Sequence, residues 1–433
     1  MSADRLIDSL MGLAASEPVF ILDSCGVGNL GSHLLIAGIE PLTVDEVTNA
    51  DAEKTLEWFE RSLADKDQAS IFTFSYDLGN KLLGIEPNSP IQPAAEPDIF
   101  LAKFDVFIIH DYETDTTCLT GDESKFQHLS QKLTSQKGFD LANHEIKTTL
   151  VRSNYSRPEY LERIGIIKEE IRCGNTYQTN FTQQLSADLP GETTPELIFY
   201  RLRRHHPAPF SAYIKRKCST VVSASPERFV KIDLASGGIL TSPVKGTRPR
   251  GQTPQEDMEL RSELLASEKD RAENIMIVDL LRNDIGRVSE YGSVIVEKLC
   301  ELETHPTFFH LVSTIKGKLK ASVTISDVLK AIFPCGSITG APKISTMKII
   351  GRLENVPRGL SMGAIGYHMP ENYFGCSETL DMSVAIRTMV IRGQVATFNV
   401  GGGIVIDSDP QKEYEESLTK AKALLSAING HLE

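Results

Sequence analysis

The rhythm of its segments constrains this chain's fold more than any other feature. Short runs rich in Val, Ile and Phe alternate irregularly with a few long helical patterns, and no strand–helix–strand repeat emerges. Strand-like runs lie at Val19–Leu22, Ile71–Phe74 and Val106–Ile109, with a helical pattern over Asp51–Leu63. Phe229–Ile232 and Ile239–Thr241 flank Ala235-Ser236-Gly237-Gly238, which reads as a hairpin. Ser156 followed by Glu159 makes a capping box. Leu161, Ile164, Ile167 and Ile171 follow at helical spacing, and Gly174 marks the stop. A second long helix is expected over Ser267–Leu281, and a third from Asp409-Pro410 to Asn429-Gly430. The proline-rich stretch 88–97 reads as a surface connection. Irregular alternation predicts an α+β layered fold.

Charge and cysteine use narrow the function. A net charge of −13 carries no basic stripe, so nucleic acid is not the expected partner. An anionic substrate then needs a local positive site or a metal to draw it in against the field of the whole protein. No apolar run reaches the ~20 residues of a membrane span, and the first residues lack a signal-peptide layout. Seven scattered cysteines without a C-x-x-C pair read as reduced thiols, and a cytoplasmic location is expected.

A handful of residues are placed for chemistry. Asp270 and Glu273 share one face of the second long helix, and Glu413 and Glu416 share one face of the third, with Lys420 a turn further on. Taken alone, each pair also reads as a solvated face. Facing each other, they would suit a magnesium ion, which takes a few hard oxygen ligands and keeps several waters. Gly336–Lys343 and Gly401-Gly402-Gly403 read as glycine-rich turns whose amides can approach an oxyanion, or simply as tight turns. Arg387 lies in a strand-like apolar context and needs a carboxylate, from a ligand or from the protein. His310, among Phe308, Phe309 and Leu311, reads equally as a core histidine. Lys245, between Val244 and Gly246 at a strand end, is placed where burial would favour an uncharged, nucleophilic amine; a surface lysine is the plainer reading.

Taken in series, these segments resemble one family. Ser225-Pro226-Glu227-Arg228-Phe229, the stretch 243–250, the stretch 272–287, His310–Ser313, Gly336–Lys343, Ala385–Thr388 and the stretch 401–410 occur in an order similar to that of the chorismate-utilising enzymes. The match is dense over 151–433. It is thinner over 1–150, chiefly Phe74–Gly79, a region expected to be interleaved with the core. The resemblance implies two packed β-sheets with helices outside. It also implies magnesium bound by Glu273 and Glu416 directly, and by Asp270 and Glu413 through water. Arg387, Lys420 and the amides of Gly401, Gly402 and Gly403 would hold the substrate carboxylates. Ser337 would lie beside the substrate and His310 near its leaving groups.

Within the family, isochorismate and salicylate synthases carry a water-activating lysine where this chain has Gln178, and an acidic glutamate where it has Ser242. Neither replacement can do that work. Lys245 stands where the aminodeoxychorismate synthase branch has lysine and anthranilate synthases usually have alanine. That branch implies attack by Lys245 on chorismate, Glu227 as acid/base, and a separate glutamine amidotransferase subunit supplying ammonia. Two alternatives stay open: an anthranilate synthase component I, and a non-catalytic chorismate-binding sensor. The stretch Phe20–Ser24 departs from the Leu-Leu-Glu-Ser motif with which anthranilate synthases bind tryptophan, so tryptophan feedback is not expected.

Overall fold

Local caps fix the three long helices. The computed structural model describes residues 1–27, 33–48, 51–86, 96–136, 138–139, 146–305, 308–371 and 373–433. Most of the proline-rich stretch 88–97 therefore lies outside the described residues. Helix Arg157–Arg172 opens on the Ser156/Glu159 capping box, and Gly174 follows it at φ +78°. Helix Glu268–Val288 starts where Ser267 Oγ accepts the Asp270 N–H. It runs past the expected Leu281 because the buried stripe continues through Ile285 and Val288. In helix Pro410–Ala427, Asp409 accepts the Lys412 N–H, and Asn429 beyond the end takes φ +50°.

Two large sheets pack face to face. The first is 12-stranded, ordered Gly430–Leu432, Thr149–Ser153, Gln178–Asp188, Val395–Ile404, Thr388–Arg392, Thr220–Ser225, Phe210–Lys215, Val19–Asp23, Leu34–Ile39, Val106–Asp111 and Thr116–Gly121, with Gly340–Ala341 added to Gln178–Asp188. The second is 10-stranded, ordered Val244–Pro249, Phe308–Lys318, Gly238–Ser242, Arg228–Asp233, Thr379–Val384, Ala364–Met369, Ala69–Phe74, Ile99–Phe104 and Thr43–Val47, with Ile295–Thr304 also on Phe308–Lys318. Both sheets mix strands from either side of residue 150. Phe20, Ile36, Phe107 and Val390 from the first sheet meet Ile71, Phe100, Phe104 and Ile365 from the second in one buried layer. The outer faces bury helices such as Ala3–Ala14 and Pro410–Ala427 on one side and Ala52–Ser62 and Glu268–Val288 on the other. This is an α+β sandwich with helices outside. Among the described residues, no helix is long and apolar enough to cross a membrane. All seven cysteines are free thiols.

One letter match is set aside, and two local readings are revised. Gly26, Gly28 and Gly31 match a dinucleotide fingerprint by letter, but the next described element is strand Leu34–Ile39, antiparallel to Val19–Asp23, rather than a helix. Gly401, Gly402 and Gly403 form no turn: they lie inside strand Val395–Ile404, opposite Thr182, Phe181 and Asn180. Side chains are excluded there because a Cβ on Gly401 would lie 1.9 Å from the Phe181 carbonyl oxygen, and one on Gly403 would lie 2.4 Å from Gln178 Nε2. Arg387 is not in a strand either. It ends a crossing from Thr379–Val384 in the second sheet to Thr388–Arg392 in the first, at φ +47°. A second crossing, from Thr220–Ser225 to Arg228–Asp233, runs alongside and carries Glu227. The two are stitched together by Val384 N–H to Glu227 O at 3.0 Å and Ala224 N–H to Arg387 O at 3.0 Å.

Candidate active site

Lys245 is aimed by a bulge. Strand Val244–Pro249 pairs with Phe308–Lys318, and its register slips between Lys245 and Thr247, at Gly246, which takes φ +80°. Any Cβ at Gly246 would press on Leu264 and Asp270 at 3.0 Å, so the bulge packs directly on the Asp270 helix turn. The half-buried Lys245 ammonium donates to the Ser337 carbonyl at 3.4 Å. Its charge stabilises the carboxylates of Glu227, Glu273 and Glu416.

Glu227 is buried, and that burial raises its carboxyl pKa against the opposing pull of the Ser337 hydroxyl and Lys245. A salt bridge to its neighbour Arg228 would have been the plainer role. Arg228 instead holds Asp381 in a two-point contact, with both bonds at 3.0 Å. Glu227 therefore has the raised pKa that suits a proton donor.

His310 is buried, with Nδ1 2.9 Å from Thr247 Oγ1 and Nε2 without a partner. Burial, Arg387 and His305 hold its pKa well below the usual value, so the ring is neutral. Arg387 takes part in none of the ion pairs among the described residues and lies 5.6 Å over the Phe308 ring. Burial alone lowers its pKa. A cation and an orphaned imidazole nitrogen thus face the same region with capacity left for a ligand.

The two acidic pairs do converge. Asn274 pins the first helix to the His310 strand, donating to Leu311 O at 3.3 Å and accepting from Ser313 Oγ at 2.5 Å. Ser408 Oγ donates to buried Glu413 at 2.7 Å. Lys269 bridges the helices, 3.5 Å from Glu413 and 3.8 Å from Glu273. Burial raises the Glu273 pKa and the negative charges of Asp270 and Glu413 add to it, while Lys245 and Lys269 oppose. Glu416, paired with Lys420 at 2.9 Å, has its pKa lowered chiefly by that lysine. Asp270 accepts from Arg248 at 3.2 Å. Four carboxylates on two facing helices call for a cation. Lys269 supplies one on a side chain 54% exposed, free to swing into solvent. No three of these carboxylates bring oxygens within 4.8 Å of one another; among the described residues only His33, Asp111 and Glu113 form such a group. Wide spacing of hard oxygens suits an ion that keeps water and takes a ligand carboxylate.

The glycine strand closes the far side. Thr182 and Asn180 donate their N–H groups to Glu354 and to Thr339 O, not across the ladder. The N–H groups of Gly401 and Gly403, opposite them, therefore point away from that neighbour. Lys420 donates to Gly401 O at 3.0 Å, and Gly402 faces Glu413 and Lys420. Gln178, fully buried, leaves both side-chain polar atoms without a partner.

Sequence reasoning missed the support. Arg358 donates to Glu354 twice, each at 2.8 Å, to Ile338 O at 2.9 Å and to Asn180 O at 2.7 Å, tying the Ser337 loop to the Gln178 strand. Lys269 was readable only as the surface partner of Glu273 four residues on. In the N-terminal stretch, Asp23 is held by Tyr112 and Arg203 at 2.8 Å each, while Ser24 Oγ is buried without a partner.

The chain is similar to known proteins in sequence and in fold. The chain is 37% identical over 413 residues to the aminodeoxychorismate synthase of Streptomyces griseus, covering 91% of this chain and 56% of that protein. It thus spans little more than half the length of that relative. It is 36% identical to an anthranilate synthase component 1 of Haloarcula marismortui, over 82% of this chain and 74% of that one. Its fold matches the crystal structure of anthranilate synthase component I from Streptococcus pneumoniae at a TM-score of 0.78 and 27% identity, covering 92% and 93% of the two chains. Residues 23–426 match the chorismate binding enzyme family, and the chain belongs to that family.

Proposed function

We propose that this chain is the synthase component that converts chorismate and ammonia to 4-amino-4-deoxychorismate. The observation that carries the reading is the Lys245 amine standing beside the buried, pKa-raised Glu227. Lys245 passes its ammonium proton to Glu227 and then attacks ring carbon C2 as the C4–O bond breaks, and Glu227 gives that proton to the departing hydroxyl. Ammonia then bonds to C4 and the C2–N bond to Lys245 breaks. Arg387, Lys420 and the outward N–H groups of Gly401 and Gly403 hold the substrate carboxylates. The neutral His310 and the Ser337 hydroxyl line the reacting face. Glu273, Glu416, Asp270 and Glu413 would hold magnesium, which would supply positive charge to neutralise a substrate carboxylate within this acidic protein. Ammonia comes from a glutamine amidotransferase subunit, for which ammonium salts substitute in vitro.

Product analysis by mass spectrometry tests the reading, with chorismate, magnesium and ammonium, and with and without an added aminodeoxychorismate lyase. A 4-amino product that the lyase converts to p-aminobenzoate is expected, and chelation should abolish it. Anthranilate as the product would instead establish the second reading, favoured by the similarity to anthranilate synthases. Ligand binding without turnover would support a sensor.

Arg387 separates binding from stability. Arg387→Met is expected to raise KM for chorismate by about 10-fold or more, the worth of a charged hydrogen bond. The melting temperature should hold or rise, since the arginine has no acidic partner to lose. A lower melting temperature with unchanged KM would show that its role is structural.

A further inference from the structure

Cys335 is only 3% exposed, and no step above uses it. Its Sγ lies 3.3 Å from Ser337 Oγ, and the Ser337 hydroxyl is in turn within hydrogen-bonding reach of the Glu227 carboxyl. These three groups form one chain with a definite proton order in each state of Glu227. An ionised Glu227 only accepts, so Ser337 O–H donates to it and Ser337 Oγ takes the Cys335 S–H. Once Glu227 is protonated, it donates to Ser337 Oγ, and the serine hydroxyl turns to donate to sulfur. Burial and the nearby Glu227 charge push the thiol up to about 12, against the pull of Lys343, so the sulfur keeps its proton throughout.

We propose that Cys335 is a positioning residue, whose thiol alternates between donor and acceptor and keeps the Ser337 hydroxyl paired in both protonation states of Glu227. The proposal rests on the reading of Glu227 as acid/base. The groups facing Glu227 are Lys245, the Val244 N–H and Ser337; those facing Cys335 are Glu227, Ser337 and Lys343.

The test uses the full chain with chorismate, magnesium and saturating ammonium. It compares Cys335→Ala and Cys335→Ser by kcat and KM across pH, and by infrared titration of the carboxyl band that disappears in Glu227→Gln. In Cys335→Ala the serine hydroxyl loses its partner in both states, and the ionised state loses more because its bond from serine is charge-assisted. The band should then titrate at higher pH, and kcat should fall about 5-fold with KM little changed. Cys335→Ser, which both donates and accepts, should restore both. The proposal is overturned if Cys335→Ala titrates and turns over like the wild type. It is equally overturned if Cys335→Ser behaves like Cys335→Ala, which would reduce the sulfur to packing. Survival of the band in Glu227→Gln would identify another acid, overturning the acid/base reading and the relay with it.

Discussion

Lys245→Ala is expected to lower formation of the 4-amino product by about 1000-fold or more, because no other side chain can take over the attack on C2. The fold should survive. Lys245 makes a single long bond to a carbonyl, and the bulge that aims it depends on Gly246. Loss of the amine removes positive charge beside Glu227, Glu273 and Glu416, so all three carboxylates should protonate more readily in the variant. Chorismate binding can therefore be measured apart from turnover, by calorimetry on the variant with magnesium present. Binding retained with product lost is the expected pair of results. Normal 4-amino product from Lys245→Ala would rule out covalent attack and leave direct displacement by ammonia.

The second large effect concerns stability. Arg358 is 3% exposed, stacked 4.4 Å over the Tyr76 ring, and neutralises buried Glu354. Arg358→Met strands that carboxylate in the interior and should cost about 3–5 kcal/mol, with the denaturation midpoint falling accordingly. Glu354→Gln in the same chain removes the stranded charge and keeps an acceptor for the Thr182 N–H and hydroxyl, both now 2.9 Å from Glu354. The double variant should therefore be more stable than Arg358→Met alone. Since Arg358 also holds Ile338 O, kcat should fall along with stability. Unfolding of Arg358→Met at the wild-type denaturant concentration would show that the pair contributes little.

What the sequence disclosed follows the range of the forces involved. Ser156, Ser267 and Asp409 were legible as helix starts because a cap is settled within three residues. Glu273 and Glu416 were legible as candidates, but their convergence depends on Asn274, Ser408 and Lys269, whose partners lie on other elements. Gly401, Gly402 and Gly403 read as a turn because glycine is depleted in strands. Only the closeness of Phe181 and Gln178 explains why a strand needs them. Arg358, after Pro357, has the look of a surface turn, and nothing local reveals the buried Glu354 network. The family motifs reached further than periodicity did, since they carry the outcome of contacts that periodicity cannot see.

The interleaved sheets set a timetable for synthesis. Strand Ala69–Phe74 pairs early with Ile99–Phe104 on one side, but its other neighbour is Ala364–Met369. At roughly 5–20 residues per second, a ribosome takes tens of seconds to travel from the one to the other. Strand Val19–Asp23 likewise waits for Phe210–Lys215. Throughout that interval, apolar strands such as Ile71–Phe74 have an open edge, the form in which β-structure most readily pairs with a neighbouring chain. Yield in a cell should thus depend on translation speed and on chaperones that cover such edges, more than on the stability of the finished sandwich.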